Sequence, residues 1–171
     1  PYAPMAMALC AIALFSALVG GNSDKGEIQP ILRTPLLAIH VTTVIIAYVL
    51  IGATAINAVI ALRRTNSEKN IMRHAMFGRM LLYPATMLLS AGIFIGAVWA
   101  SISWGRYWGW DPKEAWALAT LLACSFAFHN RSLPFIDKPR VFHIYCIAVF
   151  IIMLFTYFGV NVLLGGLHGY M

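Results

Sequence analysis

Long runs of apolar residues, separated by short charged stretches, constrain the fold of this chain more than any other feature of its sequence. Hydrophobic residues make up 61% of its 171 residues and charged residues only 11%, whereas soluble domains contain roughly 45–50% and 25%. A helix needs about 20 apolar residues to cross the hydrocarbon core of a bilayer. The runs therefore predict an all-α integral membrane protein with about five transmembrane helices, at approximately 3–20, 35–62, 80–102, 112–129 and 141–164.

The five spans are predicted to form a single transmembrane domain over residues 1–171. The stretch 3–20 has no basic residue before it, so we interpret it as a membrane span and not as a signal peptide. Because the chain begins at Pro1 rather than Met, we expect it to be the C-terminal part of a longer chain.

The positive charge of the chain is concentrated in two loops. The net charge of +6 comes from residues 63–79 and 130–140, because the charges in the remaining loops cancel. Cytoplasmic loops of membrane proteins carry an excess of lysine and arginine, so both loops are predicted to be cytoplasmic. Residues 104–116 then face the extracytoplasmic side, as does the segment after the last span. The basic excess reports membrane topology, and no nucleic-acid partner is expected.

An aromatic segment, "WGRYWGWDPKEAW" at residues 104–116, contains four of the five tryptophans. Its second half has the form of a helix start, with Asp111 as N-cap, Pro112 at the first helical position and Glu114 three residues after the cap. Trp116 is interpreted as a packed or interfacial residue. Single tryptophans near a membrane boundary need no further role, because indole rings favour the headgroup level.

The first half of the aromatic segment, "WGRYWGW", is not explained by a helix start. Its large flat rings alternate with Gly105 and Gly109, so it can form an apolar shelf against which a flat ligand packs. Arg106 or Lys113 can pair with acidic groups at the rim of such a ligand. These residues leave haem, a quinone and an organic anion open as ligands.

The five histidines fall on both sides of the predicted membrane. His40, inside an apolar span, and His168, between glycines, belong to the outer side and can supply both axial ligands of a macrocycle such as haem if the fold brings them together. His129 closes the fourth span at its inner end, too far away to share that ligand. His74 and His143 are interpreted as rings placed in the inner headgroup zone.

Several motifs in order resemble one family. "WGRYWGWDPKEAWAL" (104–118), "GAVWA" (96–100) before it and "YFGVN…GGLH" (157–168) after it are similar to the WWD-domain haem-handling proteins of cytochrome c biogenesis. The likeness is to the CcsA/ResC-type subunit of the system II cytochrome c synthetase, and it runs from about His40 to Tyr170. The aromatic segment corresponds to the WWD segment of that family.

The resemblance implies a set of haem-binding residues, with haem b as the transported substrate. It implies that His40 and His168 ligate the haem iron at an outer site and that His129 is a haem ligand at a membrane site. With haem as the ligand, the acidic rim groups that Arg106 and Lys113 can pair with are the propionates. The implied WWD haem platform consists of Trp104, Tyr107, Trp108, Trp110 and Asp111.

The resemblance further implies that the protein moves haem to the extracytoplasmic side and presents it for thioether attachment to Cys-x-x-Cys-His apocytochromes. The thiols belong to the apocytochrome, so no catalytic residue is expected in this chain beyond haem presentation. Its cysteines, Cys10, Cys124 and Cys146, are isolated in apolar runs and are interpreted as small buried residues. A CcsB/ResB-type subunit or fused domain and apocytochrome c are the implied partners, in a bacterial inner membrane or a thylakoid membrane. Haem lyase activity is expected to require that partner.

Two other functions remain open. The first is a haem exporter or a chaperone-loading protein of the CcmC kind, which the "GVN…GLH" ending disfavours. The second is a membrane redox subunit with a permanently bound haem that passes electrons to a quinone. That function predicts paired histidines within the bilayer on two helices, and the sequence offers only His129 well inside the end of its own helix.

Overall fold

A computed structural model describes residues 34–64, 67–129 and 133–164, and within these ranges the chain is helix and connecting loop with no β-strand. The predicted first span, at 3–20, and His168 lie outside the described residues. Three of the described helices are long and apolar enough to cross a membrane. The prediction of an all-α membrane fold is confirmed.

Four α-helices, with short 3₁₀ and π segments, make up the described bundle. The α-helices are α1 (Pro35–Arg64), α2 (Glu68–Trp104), α3 (Pro112–Ser125) and α4 (Pro139–Leu154). Two 3₁₀ turns, Phe126–Phe128 and Pro134–Asp137, lie between α3 and α4. The π-helix Phe155–Leu164 continues directly from α4.

Helices α1 and α2 pack side by side as an antiparallel pair, and their interface is the most extensive in the described bundle. Small side chains on α1, including the fully buried Ala47 and Ala58, allow the two backbones to approach closely. Gly92 on α2 marks one such approach, because a Cβ atom there would lie 2.6 Å from Cγ2 of Val44. The shared core continues into Leu82 and Leu89 of α2.

Helix α2 begins well before the span predicted at 80–102. It starts at Glu68 and runs for 37 residues, or about 55 Å, which exceeds the roughly 30 Å of hydrocarbon. Its first turns carry the exposed Lys69 and Arg73. Lysine, arginine and methionine all favour helix, so the helix continues past the point where the apolar run stops. Hydropathy marks the membrane boundary and not the end of the helix.

Helix α3 is shorter than the predicted span 112–129. The α-helix covers 14 residues, and one 3₁₀ turn completes it before His129. Trp116 packs against Phe155 with ring centroids 4.4 Å apart, and the hydroxyl groups of Thr120 and Thr156 are 2.8 Å apart. These contacts hold α3 against the π-helix. The number of spans, five in the sequence analysis, stays a prediction.

A buried polar cluster joins three helices near the loop between α1 and α2. The Asn57 side chain donates to the carbonyl of His74 at 2.9 Å, and its oxygen lies 2.7 Å from His74 Nδ1. His143 on α4 is fully buried, with Nε2 3.3 Å from the carbonyl of Ile71. The interpretation of His143 as a headgroup-zone residue is therefore wrong, because its side of α4 packs against α2. Periodicity in a uniformly apolar helix does not reveal which side faces protein.

The antiparallel helices separate the charged loops from the aromatic segment. Exposed Arg63, Arg64, Lys69 and Arg73 surround one end of the bundle, which we term the basic end. The ion pair between Arg79 and Asp137, at 3.0 Å, joins the loop before α4 to the same end. Residues 104–111 lie at the other end, the aromatic end, because α2 runs the length of the bundle to reach them. Cys124 and Cys146 are buried in the core, which confirms the prediction for these two, and Cys10 lies outside the described residues.

Candidate functional site

A cavity of about 290 Å³ lies at the aromatic end, between α1, α2, the start of α3 and the π-helix. Small-molecule sites generally begin near 300 Å³ and combine apolar walls with a few polar groups. Most of this lining is apolar, from residues such as Val44 and Ile93. Residues with polar side-chain groups that line it include His40, Trp99, Lys113 and Glu114.

His40, near the start of α1, presents its ring to this cavity. Its Nδ1 lies 2.8 Å from the carbonyl oxygen of Gly92 on α2. A carbonyl only accepts, so Nδ1 carries a proton and donates it, and in the neutral ring the lone pair then lies on Nε2. Metal-binding histidines have this arrangement, in which a hydrogen bond at one ring nitrogen orients the other as the ligand.

Gly96 makes room for the His40 ring. A Cβ atom at Gly96 would lie 2.5 Å from Cε1 and 2.7 Å from Nδ1 of His40, distances at which a side chain must move. The ring therefore lies directly against the backbone of α2. Together with the bond to Gly92, this contact sets the position of the imidazole.

The aromatic segment turns sharply between α2 and α3. Gly105 has φ of 74° and its N–H donates to the carbonyl of Ser101, which ends α2. Trp110 also has a positive φ, 54°, a conformation that costs a tryptophan about 1 kcal/mol or more. Trp108 packs edge-on against Trp110 with centroids 5.8 Å apart. These turns bring Tyr107 and Trp108 to the cavity.

The five residues of the implied platform do not lie on one surface. Tyr107 and Trp108 line the cavity. Trp104 packs edge-on against Trp99 at 4.9 Å, and Trp110 is 73% exposed. Asp111 is buried beneath the segment.

Asp111 and Glu114 form the predicted capping box at the start of α3. Asp111 accepts from the N–H of Lys113 at 3.2 Å, and Glu114 accepts from the N–H of Asp111 at 3.2 Å and of Gly109 at 2.8 Å. The interpretation of Asp111–Glu114 as a helix start is confirmed. Both carboxylates thus hold the aromatic segment onto α3, which positions Trp108 at the cavity.

Loss of the Asp111 cap is expected to destabilise the protein. Asp111→Ala should lower the free energy of unfolding by about 1 kcal/mol, because the partly buried N–H of Lys113 loses its acceptor. Asp111→Asn is the matched control, since asparagine caps as well as aspartate and should retain most of the stability. Thermal unfolding in detergent measures both. Equal losses in the two variants would contradict a capping role and point to the negative charge instead.

The two basic residues of the segment lie in different places. Lys113 lines the cavity. The Arg106 guanidinium folds back over Gly109, where a Cβ atom would lie 2.9 Å from its Cζ, and the residue is exposed. Of the two side chains implied to contact propionates, Lys113 is therefore the one at the cavity.

His129 lies at the basic end of the bundle. It follows the 3₁₀ turn after α3, its Nδ1 is 3.1 Å from the carbonyl of Ser125, and the residue is exposed. His40 is at the other end, so the length of α3 separates the two rings. They do not meet at one ligand, and His168, the remaining implied ligand, lies outside the described residues.

The family model described as cytochrome c assembly protein matches residues 2–168. The chain belongs to this family. The match covers almost the whole sequence, from before the first predicted span to His168, and so contains the cavity, the aromatic segment and His129.

Relatives in the family agree with this assignment. The chain is 34% identical to protein NrfI of Wolinella succinogenes over 95% of its own length and 19% of the relative. It is 31% identical to the cytochrome c biogenesis protein CcsA of Chlamydomonas reinhardtii, over 98% of its length and 49% of the relative. It is 45% identical to CcsA of Marchantia polymorpha over 48% of its length and 26% of the relative. The chain spans less than half the length of these curated relatives.

Residues for which the sequence alone indicated no role also shape the candidate site. Gly92 and Gly96 hold the His40 ring, and Trp99 lines the cavity. Gly96 and Trp99 belong to "GAVWA", one of the motifs that carry the family resemblance. The sequence contains one signal for this contact, the small residues Gly92 and Gly96 in one apolar span and the single His40 in another. Only the helix pairing shows that these residues meet.

Proposed function

We propose that this chain is the haem-handling part of a cytochrome c biogenesis protein, which carries haem b as substrate to an outer site for attachment to apocytochromes. The observation that supports this most directly is the position and hydrogen bonding of the His40 ring. Its Nδ1 bonds to the Gly92 carbonyl, so Nε2 has the lone pair needed for iron, and the ring lines an apolar cavity beside Trp108.

The residues at the cavity suit haem in three respects. The imidazole of His40 supplies a ligand for iron. The apolar wall and the flat ring of Trp108 suit the porphyrin faces. Lys113 supplies positive charge toward propionates. We assign His168 as the second outer ligand, with Arg106 and the other WWD aromatic residues around the exposed part of the haem.

His129 would serve a second, inner haem position. It lies at the basic end, which the positive-inside rule assigns to the cytoplasm. The aromatic end is then extracytoplasmic, where thiols of a Cys-x-x-Cys-His apocytochrome can reach the haem. Two separate histidine sites suit a protein that moves haem from one side to the other.

The attachment step is proposed to need more than this chain. The named relatives are longer, and the thioether bonds take their sulfur atoms from the substrate. A CcsB/ResB-type subunit or fused domain is the proposed partner, apocytochrome c the proposed acceptor, and a bacterial inner membrane or thylakoid membrane the location.

Haem exchange tests this proposal. Purified protein loaded with haem should pass it to excess apomyoglobin at a measurable rate, because a substrate must leave its site. The shift of the Soret band reports the transfer. Haem that stays on the protein for hours would favour the membrane redox subunit, and protein that takes up no haem would exclude haem handling. Co-expression of the protein and its partner with a Cys-x-x-Cys-His reporter then separates attachment from binding alone.

A further inference from the structure

Trp99 carries a buried hydrogen-bond donor that no group among the described residues satisfies. Within the described residues, three buried side-chain atoms have no hydrogen-bond partner: Trp99 Nε1, Ser103 Oγ and His143 Nδ1. Trp99 is only 3% exposed. A buried N–H without an acceptor costs free energy comparable to a lost hydrogen bond, so such groups call for an explanation.

The surroundings of Trp99 indicate what would satisfy this donor. Trp99 lines the same cavity as His40 and Lys113. It lies three residues after Gly96, which contacts the His40 ring, so it is about one helical turn closer to the aromatic end. An indole N–H can only donate, and Lys113 adds positive charge. The matching ligand group is therefore an acceptor, and a negatively charged one is favoured.

The helix start beside the cavity is not the group that binds this acceptor. The N–H groups of Gly109, Asp111 and Lys113 already donate to the carboxylates of the capping box. The indole N–H of Trp99 differs because it has no acceptor within the part of the chain that the structure describes. Its packing against Trp104, edge-on at 4.9 Å, holds the ring in place.

We propose that the Trp99 indole N–H donates a hydrogen bond to a carboxylate oxygen of the haem bound in this cavity, and so orients the propionate edge toward α2. The inference rests on the proposed function and adds a positioning role for Trp99 to it. His40 holds the iron, while Trp99 and Lys113 hold the acidic edge. The site thereby distinguishes a porphyrin with free carboxylates from one without them.

A ligand change combined with a protein change tests this role. Wild-type protein should bind haem about ten-fold or more tightly than haem dimethyl ester, the expected value for a hydrogen bond to a charged group. Trp99→Phe keeps an aromatic ring but removes the N–H, and should lose most of that preference. Trp116→Phe is the matched control, because Trp116 packs on Phe155 and is not among the residues that line the cavity. Soret titrations in detergent measure the affinity of wild type and of each variant for haem and for haem dimethyl ester.

The outcomes separate this inference from the proposed function. If Trp99→Phe keeps the full preference for the diacid, or if wild type binds both porphyrins equally, the inference is overturned while haem binding through His40 stands. If wild type binds neither porphyrin, both fail. If the Trp99→Phe protein does not fold, an NMR measurement on wild-type protein still tests the inference. Diamagnetic gallium protoporphyrin should move one of the five indole ¹⁵N–H resonances downfield, whereas its diester should not, and no shift with either would overturn the inference.

Discussion

His40→Ala is expected to weaken binding of haem at the proposed outer site by about 100-fold or more. The variant removes a ring whose lone pair is directed by the Gly92 carbonyl, and loss of a ligand exceeds the 10–100-fold typical for loss of a supporting bond. Haem that remains should change from a six-coordinate low-spin to a five-coordinate high-spin spectrum, because the proposed pair of histidine ligands loses one member. Absorption spectra of the purified protein, titrated with haem, measure both effects.

Two further variants make this result specific. His40→Gly leaves a space beside Gly96 that added imidazole can enter, and imidazole should restore the low-spin spectrum. His129→Ala alters the histidine at the basic end and should leave the outer-site spectrum in place. If His40→Ala kept the wild-type Soret band and affinity, the outer-site ligand would have to be another residue.

Gly96→Ala is expected to weaken haem binding about 10–100-fold although it replaces none of the proposed haem ligands. The added Cβ would lie 2.5 Å from Cε1 and 2.7 Å from Nδ1 of His40, so the ring must rotate away and lose its bond to Gly92. Loss of the group that orients a metal-binding histidine typically costs 10–100-fold in affinity. The variant thus tests the position of the imidazole separately from its presence.

Gly52→Ala is the matched control for this change. It also adds a methyl group within a membrane helix, but the new Cβ would meet Phe150 at 3.5 Å, an ordinary contact. Haem affinity and melting temperature should both stay near the wild-type values. A Gly96→Ala protein that binds haem as tightly as Gly52→Ala would show that the His40 ring does not need its observed position.

Much of the candidate site was predictable because it lies within one stretch of chain. The capping box at Asp111 and Glu114 follows from residue types three apart, and the structure confirms it. The aromatic residues of positions 104–110 are likewise adjacent in sequence. The sequence did not predict which residues of an apolar helix are buried against protein, as at His143. Such a helix has no polar stripe to show which of its sides faces lipid.

The site residues that sequence reasoning missed are those brought together by pairing of distant helices. Gly92 and Gly96 lie more than fifty positions from His40, and their role depends on the register between α1 and α2. The unsatisfied N–H of Trp99 is also a property of packing, since any tryptophan has the same donor.

The sequence by itself determined that this chain is a helical membrane protein, that its basic loops lie together and that its aromatic segment starts a helix. Each of these depends on composition or on residues a few positions apart, where local physical chemistry decides the result. The tertiary structure alone decided which aromatic rings reach the cavity, which nitrogen of His40 carries the lone pair and that α2 lies against that ring. Those properties depend on how closely two backbones approach, and close approach is set by packing across the whole length of the helices.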